Sequence, residues 1–223
     1  MTEPRPNLFS SIAADERFRA RTALGPGAFL DAGLPLALFT VVYTAFGRDL
    51  TRSLWVAMAA GAMLAVVRLV RRDPLQNVLA GFLGVGIAAF LAARTGRAED
   101  VFLPGLLINL GYGLAFLVSI VVRWPLLGVI VGLVSGHGMS WRADPDLLRA
   151  YTRASLLWAG MFALRLAVQV PLYLAGDEQL GWLAGARLVM SWPLFLLVAY
   201  ASWLIVRPAY HAHAERLARE AAP

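Results

Sequence analysis

The hydrophobic positions of this chain fall in long uninterrupted runs rather than in amphipathic stripes. Six runs approach the roughly 20 apolar residues that a helix needs to cross hydrocarbon: 28–46, 54–70, 75–93, 101–122, 147–174 and 182–206. Short polar breaks separate them, among them "GRDLTR", "RRD", "ARTGRAED" and "AGDEQLG". Connections this tight predict antiparallel neighbouring helices in one bundle. A seventh apolar piece, Pro125 to Val134, is about half a span and is interrupted by glycines. Its length predicts an interfacial or re-entrant segment before the fifth span. The pattern therefore predicts an all-α fold, a polytopic transmembrane bundle of six spans. Residues 1–27 form an arginine-rich cytoplasmic segment, 28–206 the membrane domain and 207–223 a cytoplasmic tail extending the last helix.

Composition excludes the soluble alternative. Of 223 residues, 59% are hydrophobic and only 15% are charged, too few to cover the surface of a soluble domain. The mean hydropathy is +0.65. With no cysteine there is neither a disulfide framework nor a thiol nucleophile. The N-terminal stretch "MTEPRPNLFSSIAADERFRARTALGPG" is too polar for a secretory signal, and the run after it serves as the first span.

Charge sets the orientation. All 20 basic residues are arginine, and the net charge is +6. With the N-terminus inside and six crossings, fourteen arginines fall inside and only Arg48, Arg52, Arg94 and Arg97 outside. A seventh crossing at the glycine-rich piece would carry Arg142, Arg149, Arg153, Arg207, Arg216 and Arg219 outward and erase that bias. The positive-inside rule thus predicts six spans with both termini cytoplasmic, in a bacterial plasma membrane whose anionic lipids attract the arginines.

Two breaks share the pattern Arg-x-Pro-Leu, at Arg72 ("RRDPLQNV") and Arg123 ("VRWPLLGV"). Proline is tolerated in the first turn of a helix, and arginine there snorkels to the headgroups. With Arg68 and Asp31 they make a cytoplasmic interface; an internal duplication is the alternative.

Ionisable side chains inside a span are the strongest pointers to function, because a central arginine costs about 2.5–3.5 kcal/mol on insertion scales. Arg165 lies deep in the fifth run, and Gln169 follows one turn later on its face. Arg187, Asn109 and Tyr112 lie at similar depth in the sixth and fourth runs, with no acidic residue at that level. The cluster reads either as a basic pocket for an anion or as buried polar glue. His137 sits in a Gly-rich loop, and His211 and His213 lack the i, i+4 spacing of a helical zinc pair. No motif calls for a metal or another cofactor, and no basic–aromatic surface suits nucleic acid. Gly128, Gly132 and Gly136, and Gly181 and Gly185, are spaced by four, as at close helix contacts within a monomer or a homo-oligomer.

From Asp31 onward the order "DAGLPLALFTVVY", "LLINLGYGLAFLVS", "RWPL", "LLWAGMFALR" and "GWLAGARL" resembles the intracellular septation protein A family of small inner-membrane proteins. It resembles more closely a set of actinobacterial membrane proteins of unknown function. The resemblance covers residues 29–206 and implies a role in cell-envelope upkeep and division through membrane-protein partners, with no catalytic residues to carry over. The leading expectation is a non-enzymatic envelope protein. The alternative is a small transporter or channel for an anionic or zwitterionic solute, using Arg165 and Arg187.

Overall fold

The computed structural model describes residues 26–73, 75–134 and 139–220; His137 and Gly136 lie outside the described residues. All described elements are helical: α1 (Pro26–Ala45), α2 (Leu50–Val70), α3 (Leu75–Thr95), α4 (Leu103–Val121), α5 (Leu126–Val134), α6 (Pro145–Leu174), α7 (Leu180–Val189) and α8 (Trp192–Glu220). Five stretches are long and apolar enough to cross a membrane: 50–70, 78–95, 98–121, 145–174 and 177–213. A further apolar stretch within α1, Leu34–Ala45, is shorter. Met63, Val66, Leu83, Phe90, Leu107, Ile108 and Val118 are all more than half exposed. Apolar surface spread over helices of this length suits lipid and not water.

The chain divides into two units, residues 1–93 and 94–223. In the first, α1 packs on α2. The buried positions of α2 are Ser53, Ala57, Ala60 and Gly61, a stripe of small residues at helical spacing that admits a close neighbour. Pro35, Phe39, Thr40 and Tyr43 are the buried positions among the described side chains of α1, and the rings of Phe39 and Tyr43 stack at 5.8 Å. Gly61 also brings α3 close, since a Cβ there would meet the Val85 side chain at 3.4 Å.

In the second unit α6 is the spine. It runs 30 residues, about 45 Å at 1.5 Å per residue, and both neighbours beside it are broken helices. On one side α4 pairs with it through Phe116, Phe162 and Ala159. The chain then breaks at residues 122–125 and resumes as α5 beside the start of α6. On the other side α7 and α8 lie along α6, broken at Met190 and Ser191. The single sixth run of the sequence is therefore two helices. The predicted tail is helix as far as Glu220.

The Arg-x-Pro-Leu turns precede helix starts at Leu75 and Leu126, as expected, and they also end the helices before them. Arg72 and Arg123 are left-handed, with φ of 60° and 56°. Each closes the helix before it. The Arg123 N–H donates to Ile120 O at 3.0 Å and the Trp124 N–H to Ser119 O at 2.8 Å. At the other copy Arg72 donates to Leu69 O and Asp73 to Arg68 O, both at 3.0 Å. This crossed pair of bonds is the Schellman termination, which usually places glycine where these arginines stand. The shared pattern thus follows from one turn geometry, used twice.

If the backbone role dominates, Arg123→Gly should unfold within about 1 kcal/mol of the wild type, whereas Arg123→Val should lose about 1–2 kcal/mol from a strained left-handed residue. Thermal unfolding in detergent measures both. Equal losses would instead point to the guanidinium, which both variants delete.

Candidate functional site

Two half-buried arginines, Arg165 and Arg187, come close to one another near the α7–α8 break. Pro193 has no N–H to return to Val189, and the helix is interrupted just before it, at Met190 and Ser191. Ser191 is left with a carbonyl that accepts from Phe195 N at 3.1 Å and from Arg165 Nη2 at 2.7 Å. A guanidinium from the middle of α6 thus adds a second hydrogen bond to a backbone carbonyl at the break of a neighbouring helix pair. Its Nε is buried without a hydrogen-bond partner. Gln169, one turn further on, is 2% exposed.

Arg187 comes from α7 and packs against bare backbone. An added Cβ at Gly105 of α4 would lie 2.6 Å from the Arg187 guanidinium carbon, so only glycine leaves room for that guanidinium. The same guanidinium sits 5.8 Å from the centroid of the Phe102 ring. Arg165 is near enough for its charge to act on Arg187. Among the described residues no carboxylate forms an ion pair with either.

Asn109 is half-buried, one turn beyond Gly105 and one before Gly113, where a Cβ would meet Phe162 at 3.3 Å. It shares the face of α4 that packs on α6. Tyr112 does not join the polar group: it is 54% exposed and stacks on Phe162 at 5.6 Å. The cluster expected from sequence therefore keeps Arg165 and Arg187 in electrostatic reach, with Asn109 and Gln169 at the α4–α6 packing level, and loses Tyr112.

Sequence reasoning missed two carboxylates. Glu99 and Asp100 fall in the short polar break "ARTGRAED", yet they are 5% and 3% exposed in a short 3₁₀ turn leading into α4. Each is matched to a donor. Arg97 Nε donates to Glu99 at 2.8 Å, and Tyr173 donates its hydroxyl to the Asp100 carboxylate. The hydrogen bond and charge of Glu99 raise the Arg97 pKa above its ordinary value. Arg97 also lies 5.7 Å from the Tyr173 ring centroid. The sequence signal was weak: an acidic pair directly ahead of a helix with Pro104 in its first turn, where carboxylates favour the helix dipole.

A second polar group closes the opposite end of α6. Asp144 caps that helix, accepting from Asp146 N at 2.9 Å and Leu147 N at 3.4 Å. The chain of α8 returns to the same carboxylate through His213 Nδ1 at 2.8 Å and Arg216 at 3.0 Å. Burial alone would raise the Asp144 pKa, but the two backbone N–H groups, His213 and Arg216 outweigh it and hold the carboxyl below its ordinary value. Of the expected interface, Arg68 lies in the last turn of α2 with its guanidinium 3.4 Å from where a Gly81 Cβ would stand. Arg72 and Arg123 form the turns described above, and the Asp31 side chain lies outside the described residues. Among the described residues no three His, Cys, Asp or Glu side chains gather as a metal site.

A family model described as "Protein of unknown function (DUF3159)" matches residues 24–213, and the chain belongs to that family. No curated protein and no solved structure matches it.

Two outcomes follow from this geometry. Gly105→Ala should destabilise by about 1–3 kcal/mol through overpacking, and much of that cost should vanish in an Arg187→Ala background; strict additivity in the double-mutant cycle would mean the guanidinium simply steps aside. The lowered Asp144 pKa makes the ionised carboxylate a stabilising group that is fully present above the unfolded value of 3.8. Its contribution disappears as pH falls from there through the lower folded value. Thermal scans between neutral and acid pH should show less acid loss for Asp144→Asn than for wild type, while Asp144→Ala should also lose about 1 kcal/mol of capping at neutral pH.

Proposed function

We propose that this chain is a non-enzymatic integral protein of the bacterial plasma membrane, with six spans and both termini cytoplasmic, that serves cell-envelope maintenance or division by binding membrane-protein partners. The observation that carries the reading is the Arg165–Ser191 hydrogen bond at 2.7 Å. A cation from the middle of α6 binds the backbone at a helix break, which is a structural use. Paired carboxylates at Glu99 and Asp100 are likewise engaged by Arg97 and Tyr173 and are not arranged as an acid–base couple about a free space. The sixth span is α1, whose residues 34–45 continue an apolar run from residue 28. The nine residues of α5, about 13 Å long, make it a re-entrant or interfacial half-helix. The envelope role follows the resemblance to the septation family.

A second reading has its own support. Arg165 Nε is buried and unpartnered, and Arg187 adds a like charge nearby. An anion bound between them would supply the missing acceptor, as in a carrier for an anionic or zwitterionic solute.

Substitution at Arg165 separates the two. As structural glue, Arg165→Gln should lower the thermal midpoint, and Arg165→Met should recover part of the loss by packing. As an anion site, wild type should gain stability with phosphate or carboxylate by RT ln(1 + [L]/Kd), and Arg165→Met should fold yet lose that gain. Topology has an independent check, because the chain has no native cysteine. Single cysteines at residues 47–52, 94–100 and 176–181 should label from outside; labelling of the "SWRADPDLL" loop from outside would sink the six-span arrangement.

A further inference from the structure

A cleft of about 690 Å³ opens between α5, α6 and α8, far along α6 from the Arg165–Ser191 bond. Its volume falls in the range of about 300–1,000 Å³ typical of small-molecule sites. Leu127, Val131, Trp158 and Val206 line it, and Arg207, Tyr210 and His211 stand at one end.

The α8 wall is one helical stripe whose polarity changes along its length. Ala199, Ser202, Trp203 and Val206 come first, and Arg207, Tyr210 and His211 follow at the same helical spacing. The polar atoms within the apolar stretch are already used. Trp158 Nε1 donates to Ser202 Oγ at 3.0 Å, and that hydroxyl donates to Val198 O at 2.7 Å. A guest in this stretch therefore meets a largely apolar wall, to which Tyr151 also contributes. At the other end the Arg207 guanidinium lies over the Trp203 ring, 4.8 Å from its centroid. Such stacking fixes the plane of the cation and leaves its edge free to bind an oxyanion.

The break after α4 keeps this cleft from closing. Because α4 terminates at Val121 and α5 restarts from Leu126, only a short helix walls this side. Its start is locked: Leu126 N donates to Ser119 Oγ at 3.1 Å and Leu127 N to Ser155 Oγ at 3.2 Å. The wall carrying Leu127 is thereby fixed in position.

We infer that the cleft binds one anionic phospholipid, its acyl chain lying against Trp158, Leu127 and Val206 and its phosphate held by Arg207 with His211 and Tyr210. An apolar channel ending in a stacked guanidinium is complementary to an amphiphile with a negative head, and neither a bare anion nor a neutral lipid uses both ends. On the orientation proposed above, the head lies at the cytoplasmic leaflet. That assignment rests on the topology, whereas the binding itself does not.

The test is a thermal-shift titration of the detergent-purified full chain with phosphatidylglycerol. Phosphatidylcholine of the same acyl chains and water-soluble glycerol phosphate serve as comparisons. Phosphatidylglycerol should raise the midpoint saturably, and the other two should not. Arg207→Gln should weaken half-saturation about tenfold, the worth of one charge-assisted hydrogen bond. Ala199→Trp should fill the cleft and abolish the shift. If that variant fails to fold, Arg207→Gln with His211→Gln carries the test alone, since both side chains are exposed. Equal stabilisation by phosphatidylcholine, stabilisation by glycerol phosphate, or an unchanged titration in the Arg207 and His211 variant would each overturn the site. Cysteine labelling fails or succeeds independently of every one of these outcomes.

Discussion

Hydrocarbon offers no water to a backbone N–H or C=O, so each helix break inside a membrane has to find its own partners. Most of the second unit is organised around that requirement. The α4–α5 break exposes the first N–H groups of α5, and hydroxyls of Ser119 and Ser155 accept from two of them. The α7–α8 break leaves the Ser191 carbonyl with lone-pair capacity, and Arg165 donates to it. Both solutions draw on α6, which supplies Ser155 and Arg165 ten residues apart on an unbroken helix. A spine that runs unbroken past both breaks can lend side chains to each of its neighbours.

That arrangement accounts for the cost of putting an arginine in a span. Arg165 needs an acceptor strong enough to offset its desolvation, and the Ser191 carbonyl at the start of α8, which already accepts from Phe195 N, offers a second lone pair. Arg187 meets the same demand differently, by lying against the bare Cα of Gly105 and facing the Phe102 ring. Small residues thus serve two ends: Ala57 and Gly61 admit a neighbouring helix, whereas Gly105 admits a charged head. Spacing by four does not announce which. Gly128 would drive a Cβ to 3.1 Å from Trp141 and Tyr151, yet Gly181 and Gly185 have nothing within 4 Å.

The long apolar runs were legible because hydrophobic burial in lipid leaves a composition signal that no local detail can hide. Helix existence and most boundaries followed, and so did the position of Arg165 well inside a long helix. Its partner did not. Pro171 and Pro193 carry the same Pro-Leu signal, but Pro171 stands in the last turn of α6, which continues to Leu174. Pro193 sits just after a break. A proline marks a missing donor, and tertiary contacts decide whether the helix bends, ends or continues there. The Arg-x-Pro-Leu turns were legible as a repeat but not as left-handed caps, because arginine rarely takes the place of glycine. Glu99 and Asp100 were hidden for a third reason: a charged pair in a short break reads as exposed unless Tyr173, more than seventy residues away, is known to cover it.

The two ends of α6 carry their polar groups in opposite roles, and the difference follows from what each end must hold. At the α4 end, Arg97, Glu99, Asp100 and Tyr173 join elements that are already adjacent through α4 and α6 packing. Their hydrogen bonds mainly satisfy groups that the fold has buried. At the other end α8 runs well past the last strongly apolar residues, where little burial would hold it. Asp144 does two things there with one carboxylate: it caps α6 and it engages His213 and Arg216 of α8. A cap bond favours the start of α6 whatever α8 does. The contacts from His213 and Arg216 fix α8 to that start and so hold Arg207 and His211, which lie one to two turns before, at the mouth of the cleft. The geometry of the lipid-facing opening is therefore set by an electrostatic clamp outside the apolar segment rather than by packing within it.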